Sequence, residues 1–144
     1  MKIISLLFAS LLLPFSLFAE NSTTAGEYII HHNALTTDAL TPQVASTYQI
    51  QRSKSRGMVN IAVLKTNAAG KQQAVSAKVT LQSRSLVGHI HDIKLREIRE
   101  ADAIYYIADF PVADREHLHF KTTILPTGQT YPIQASFQQQ FYTR

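Results

Sequence analysis

The amino-acid sequence predicts an all-β fold, a single antiparallel β-sandwich of the immunoglobulin-like or fibronectin-like kind. After residue 57, apolar and polar side chains alternate with a period of two, which is the pattern of half-buried strands. Polar turn signals interrupt this alternation roughly every 8–12 residues, which is the spacing of strands in a sandwich. The 144 residues are 45% hydrophobic and 17% charged, an ordinary globular composition for one domain.

The first residues predict an export signal. Lys2 precedes an apolar stretch, residues 3–18, that is shorter than the roughly 20 residues of a membrane-spanning helix. Pro14 interrupts the stretch, and Ala19 is a small residue suited to cleavage. An uncleaved signal anchor is the alternative.

The domain organisation follows from this signal. We expect a cleaved signal peptide at 1–19, a flexible mature N-terminus at 20–26, a sandwich domain at 27–144, and no transmembrane anchor. The expected location is the periplasm of a Gram-negative bacterium, or secretion.

The elements before residue 57 are a strand and a helical turn. Residues 28–34 predict the first strand. Thr41 followed by Pro42 is typical of a helix N-cap and first helical position, so a short helical turn is expected near 42–48.

The alternating region predicts the remaining strands, about seven in all. Residues 58–65 and 74–86, joined by a polar turn with Gly70, are expected to form a hairpin. Residues 87–100 alternate as one charged strand, but Ile98 is out of register, which indicates a bulge near Glu97. Three further strands follow, at 103–112 in a central position, at 117–124, and from 133 to about 142.

The absence of cysteine excludes several function classes. A disulfide scaffold, a zinc finger and a thiol catalyst all need it, as does the Cys…Trp…Cys core of antibody domains. The net charge of +4, which falls to +3 without Lys2, is too small to indicate a nucleic-acid partner.

Five segments together resemble an exported proteobacterial family, domain of unknown function 4426. They are HHNAL at 31–35 with LTP at 40–42, IQRSKSRG at 50–57, LREIRE at 95–100, DAIYY at 102–106 and FQQQFYTR at 137–144. The resemblance covers the mature chain and implies a small periplasmic β-sandwich with no established activity, cofactor or catalytic residue. The family pattern has Tyr in place of His32, and it lacks the histidine pairs at 89/91 and 117/119.

The six histidines form three close pairs, which suggest a metal site. On a strand, residues i and i+2 share a face, so His89 with His91 and His117 with His119 can each offer two imidazoles to one ion. If the two pairs lay on neighbouring strands, they would form a four-nitrogen site suited to Cu, Zn or Ni. The alternative, which we favour, places all four on polar strand faces. One of His31 and His32 must point inward.

Three cations at alternating positions suggest an anion-binding stripe. If Arg52, Lys54 and Arg56 lie on an extended segment, they can hold a phosphate, a lipid headgroup or an acidic partner surface. The alternative is a solvated face.

The last strand and its aromatic residues suggest a protein interface. Aromatic residues occupy both faces of the strands at 103–112 and 133–142, so some must lie outside the core. The final strand also reaches the end of the chain, where a free edge can pair with a partner's strand.

Catalysis is not expected, because no nucleophile–base pair and no G-x-S-x-G motif occur. The sequence therefore favours an exported, non-catalytic binding module without cofactor, whose partner is a protein or an anionic envelope ligand at Arg52, Lys54 and Arg56. A periplasmic Cu- or Zn-binding protein is the alternative, and a small hydrolase-like enzyme ranks third.

Overall fold

The computed structural model describes residues 21–144, and these form two antiparallel sheets; the predicted signal peptide at 1–19 lies outside them. In chain order the elements are β1 (Ser22–Ala25), β2 (Tyr28–Thr36), a 3-10 turn (Thr37–Ala39), α1 (Pro42–Thr47), β3 (Arg56–Thr66), β4 (Gln72–Ala74), β5 (Ala77–Ser85), β6 (Ile90–Ile93), β7 (Arg96–Glu100), β8 (Ala103–Pro111), β9 (Glu116–Pro126) and β10 (Ile133–Phe141). No helix among residues 21–144 is long and apolar enough to cross a membrane.

The predicted β-sandwich is confirmed. Sheet A has the strand order β1-β2-β3-β8-β7, with β4 also paired to β3, and sheet B has the order β10-β9-β5-β6. Strand β8, which was expected in a central position, is an interior strand between β3 and the edge strand β7. The facing sides enclose one main core, whose least exposed side chains are Ile30, Val59, Ile61, Val63, Phe120, Ile124 and Phe141.

Two connections differ from the predicted hairpin and bulge, because the chain crosses between the sheets there. After pairing with β3, β4 ends at Ala74, and β5 joins sheet B instead of completing a longer hairpin. Residues 87–100 are not one strand, since β6 belongs to sheet B and β7 to sheet A. Ile98 is out of register because it packs on a second apolar cluster.

Residues 22–25 differ from the expected flexible terminus. They form β1, which pairs in register with β2, from Ser22 opposite His31 to Ala25 opposite Tyr28. The short strands β1 and β4, together with the split of residues 87–100, account for the ten strands among residues 21–144 where about seven were expected.

The segment between β2 and β3 covers part of the outer face of sheet A. Thr41 caps α1 as predicted, since its hydroxyl accepts a hydrogen bond from the Val44 amide at 3.2 Å, and Pro42 is the first helical residue. Ile50 of this segment packs on Met58 of β3 and Ile107 of β8, and the three form the second apolar cluster. The polar residues that remain available for ligands therefore lie mainly on the outer face of sheet B and on the uncovered part of sheet A.

Candidate functional site

The structure separates the two histidine pairs proposed as a metal site. His91 lies on β6 and is paired with Ser83 of β5, which in turn is paired with Phe120 of β9. Directly paired residues share a sheet face, so His91 lies on the inner side with the buried Phe120, whereas His119 lies on the outer side. With β5 between β6 and β9, and with the two side chains on opposite faces, His91 and His119 cannot bind one ion.

His117 and His119 do share a face, as their spacing predicts. Their ring centroids are 5.1 Å apart, and the His117 Nε2 atom lies 3.0 Å from Oε1 of Gln138. His89 lies on the exposed loop before β6 and does not join them. Among residues 21–144, no group of three or more His, Cys, Asp or Glu side chains is placed to hold a metal ion.

His32 is the inward-facing member of the first pair. It is 6% exposed, it stacks on Phe137, and its Nε2 atom lies 3.4 Å from the Thr23 hydroxyl. Burial, and secondly the charge of neighbouring His31, lower the pKa of His32. A buried, neutral imidazole in the sandwich core is a structural residue.

The three cations of the proposed stripe do not lie on one extended segment. Arg52 precedes the turn at residues 54–55, and Arg56 begins β3. Arg52 donates to the carbonyl oxygens of Leu40 at 2.7 Å and Asp38 at 3.1 Å.

The other two cations of the stripe differ in their surroundings. Arg56 donates to the Asp109 carboxylate through both Nε and Nη2, at 3.0 and 2.7 Å. Lys54 is exposed and makes no ion pair with any described carboxylate. The Arg52 guanidinium holds the folded loop through its backbone carbonyls, and the Arg56 guanidinium joins β3 to β8. Little of the stripe therefore remains available for an external anion.

A different set of basic side chains converges on the outer face of sheet B. Arg84 of β5 is paired with His119 of β9, and Lys121 follows on the same face of β9. Directly paired side chains have Cβ atoms about 4.5–5.5 Å apart, and diagonal neighbours about 7–8 Å, so all three can contact one small ligand. We call Arg84, His119 and Lys121 the basic face.

Few carboxylates lie near enough to neutralise the positive charges of the basic face. Neither Arg84 nor Lys121 forms an ion pair with a described carboxylate. The one acidic side chain on the outer face of the sheet B strands is Asp92 of β6, which accepts a hydrogen bond from Gln82 at 3.0 Å. Arg84 and Lys121 are diagonal neighbours on β5 and β9, so an anion that binds between them would interact with two positive charges.

The basic face is also concave. Arg84, His119 and Lys121 line a depression of about 780 Å³, together with neutral donors and acceptors from β5 and β10. These neutral groups are Gln82, Ser136 and Gln138. Positively charged side chains surrounded by neutral amide and hydroxyl groups form a surface suited to phosphate, sulfate or carboxylate groups.

A larger groove lies on the uncovered outer face of sheet A. Its volume is about 1060 Å³, and its lining includes His31, Asn33, Asn60 and Tyr105. The only basic residue besides histidine along this lining is Lys71, and Asp102 lies along the same groove. Because these charges balance, the larger groove has no preference for anions.

The basic face was not predicted from the sequence, although the position of its residues on polar strand faces could be predicted. The alternation of residues 74–86 and 117–124 places Arg84 and Lys121 on polar faces. Their convergence depends on β5 pairing with β9 in the register that joins Arg84 to His119, and the spacing of residues within one strand does not show which strand lies beside it.

Comparisons with known proteins agree with the resemblance found in the sequence. The family model described as Domain of unknown function (DUF4426) matches residues 22–144. A crystal structure of a DUF4426 family protein from Pseudomonas aeruginosa is similar with a TM-score of 0.72 and 29% identity, covering 85% of this chain and 94% of that one. No curated protein matches the chain.

Two structures of FetP from uropathogenic Escherichia coli share the fold. FetP as isolated after expression in the periplasm of E. coli has a TM-score of 0.59 and 10% identity, covering 84% of this chain and 92% of that one. A copper-bound variant of FetP has a TM-score of 0.56 and 9% identity, covering 85% and 90%. At such low identity these likenesses concern the fold alone.

Proposed function

The chain belongs to the family Domain of unknown function (DUF4426), and from that premise we propose that it is an exported, non-catalytic binding module for anionic ligands. Family membership assigns no activity, so the proposal rests on the basic face. The observation that carries it is the cross-strand placement of Arg84 beside His119 and Lys121, without an ion-pairing carboxylate among residues 21–144.

The chemistry of the basic face favours a small ligand carrying phosphate, sulfate or carboxylate groups. The Arg84 guanidinium provides paired donors for such groups, whereas Lys121 provides a point charge. Because the side chains are largely exposed, salt is expected to screen their attraction for the ligand. Binding should therefore weaken as the ionic strength rises.

The proposal is tested by calorimetric titration with inorganic pyrophosphate at low ionic strength. Arg84→Gln and Lys121→Gln should each weaken binding by roughly tenfold to a hundredfold, since a hydrogen bond to a charged group contributes about 1.5–3 kcal/mol. The double variant should bind weakest. The matched control is Lys54→Gln, which removes one exposed cation from the loop and should leave affinity unchanged.

Two outcomes of this titration would count against the basic face. Equal affinity of the double variant and the wild-type protein would exclude Arg84 and Lys121 as ligand contacts. A loss at Lys54→Gln as large as that at Arg84→Gln would restore the loop cations as the binding site.

Export is the second part of the proposal and has its own test. The apolar stretch at 3–18 and the small Ala19 support cleavage before Glu20. Protein recovered from the periplasmic fraction of a Gram-negative host should begin at Glu20. Full-length protein retained with the membrane would instead indicate an uncleaved anchor.

Copper binding at His117 and His119 is the second candidate function. Two imidazoles with centroids 5.1 Å apart can supply two nitrogen ligands to Cu(II), and a FetP variant with this fold has been solved in a copper-bound form. Arg84 opposes this candidate, because its positive charge lies directly across from His119.

One variant distinguishes the two candidate functions, because it should change the affinities for pyrophosphate and for Cu(II) in opposite directions. Arg84→Gln should weaken pyrophosphate binding, but it should strengthen Cu(II) binding if His117 and His119 hold the metal. Native mass spectrometry with added Cu(II) measures the second quantity, with His117→Ala as the control that removes one ligand. If the wild-type protein and the Arg84→Gln variant both keep the mass of the metal-free protein after Cu(II) is added, the copper site is excluded.

A further inference from the structure

The edge strands of the two sheets differ sharply in how they are protected against pairing. In sheet A, β1 has only four residues, and β7 has five, of which four are charged. In sheet B, β6 also has four residues, including Asp92. Short or charged edges of this kind are the usual protection against association with another chain.

Strand β10 is the exception. It has nine residues, Ile133–Phe141, none of them charged and none of them proline. It pairs one-to-one with β9 from Ile133 opposite Ile124 to Phe141 opposite Glu116, so no bulge twists its edge away. Among residues 21–144 no segment other than β9 pairs with it.

From this contrast we infer that β10 is an interface, and that its partner is β10 of a second copy of this chain. An antiparallel pair of β10 strands related by a two-fold axis would join the two B sheets into one continuous sheet. The absence of charge on the strand favours a second copy over a charged peptide, because two neutral edges meet without repulsion.

The side chains of β10 are complementary to themselves in this arrangement. A two-fold axis at the middle residue places Phe137 opposite the partner's Phe137. Each ring keeps its stack within its own sandwich, and its partly exposed edge can contact the edge of the copy. On the outer face, Ser136 pairs with the partner's Gln138, so polar side chains that can donate and accept hydrogen bonds meet. Ser136 and Gln138 are both exposed, so this pairing needs no rearrangement of the core.

The pairing is tested with variants that place charge on the edge. In the variant Ser136→Lys with Gln138→Lys, each lysine faces a lysine of the second copy. In the variant Ser136→Glu with Gln138→Glu, glutamates face each other. Sedimentation equilibrium across a wide concentration range measures the mass of each protein alone and of an equal mixture of the two.

The expected result is a dimer for the wild-type protein and a rise of roughly a hundredfold or more in the dimer dissociation constant for each charged variant, because facing like charges cost several kcal/mol. The equal mixture should recover the dimer, because lysine then faces glutamate. Recovery also shows that both variants fold. Thr80→Lys adds one positive charge at an exposed position on the interior strand β5 and should leave the dimer intact.

Three results would overturn the inference. They are a wild-type monomer at every concentration, a dimer that the charged variants leave unchanged, and a Thr80→Lys protein that dissociates as readily as the edge variants. None of these results depends on the anionic ligand, so the dimer can fail while the basic face stands.

Discussion

His32 of β2 stacks on Phe137 of β10, with ring centroids 4.5 Å apart and ring planes 6° from parallel. Phe137 also stacks on Phe120 of β9, at 5.0 Å. The three rings form a continuous stack that joins sheet A to sheet B on the side of the sandwich where β10 lies. An ionisable group therefore takes part in the packing of the two sheets, and its protonation affects stability.

Stability should fall at mildly acidic pH because of His32. Its pKa is lowered in the folded protein, so the unfolded chain binds the proton more readily. The contribution to stability is complete above the ordinary value of 6.5 and is lost as pH falls from there towards the folded pKa. Urea unfolding at a series of pH values should show this decline in the free energy of unfolding.

The variant His32→Phe keeps an aromatic ring on Phe137 and removes the titration. We expect its free energy of unfolding to depend less on pH between about 7 and 5, the range where an ordinary histidine titrates. His89→Gln, at an exposed loop position, is the control and should keep the wild-type slope. If the two variants behave alike, His32 is not the group responsible.

Arg56 should contribute to stability through Asp109. The pair joins β3 to β8, and the side chains are only 30% and 22% exposed. Arg56→Gln should lower the free energy of unfolding by about 1–2 kcal/mol, since partial burial makes this pair stronger than a surface pair. Glu27→Gln breaks the exposed pair with Lys65, leaves the Lys65 ammonium over the Tyr28 ring, and should cost less than about 0.5 kcal/mol. Equal losses for the two variants would contradict the structural role of Arg56.

Gly57 should not tolerate a side chain. A Cβ atom there would lie 2.9 Å from atoms of Phe110, Val112 and Phe141. Gly57→Ala should therefore destabilise the protein by about 1–3 kcal/mol, the usual cost of overpacking. Gly70→Asn is the control, because its site is open and asparagine accepts its positive φ of 78°. Thermal unfolding that ranks the two variants in the reverse order would contradict this packing.

Local features of the fold could be predicted from the sequence, whereas features that depend on crossing between sheets could not. The Thr41 cap and the inward position of one histidine of the first pair follow from short-range rules, and both agree with the structure. Residues 87–100 look like one alternating strand because both halves alternate. Their division between the sheets is set by what Ile93 and Ile98 pack against, and that information lies elsewhere in the chain.

The residues of the candidate site were likewise predictable only in part. The alternation of Arg52, Lys54 and Arg56 suggested a stripe, but Arg52 bonds to backbone carbonyls of the loop, and Arg56 bonds to a carboxylate on β8. Arg84 and Lys121, which are far apart in sequence, become neighbours only through the register of β5 on β9. Sequence spacing indicates which residues share a face of one strand, and it leaves undetermined which strands lie side by side.

The most direct test of the anion-binding proposal is residue-resolved NMR during a titration with inorganic pyrophosphate. The amide signals of Arg84, His119 and Lys121 should shift together and saturate with one dissociation constant, and these shifts should disappear in the variant Arg84→Gln with Lys121→Gln. Shifts confined to the loop at 52–56, or no saturable shift on β5 and β9, would contradict the assignment of anion binding to the basic face.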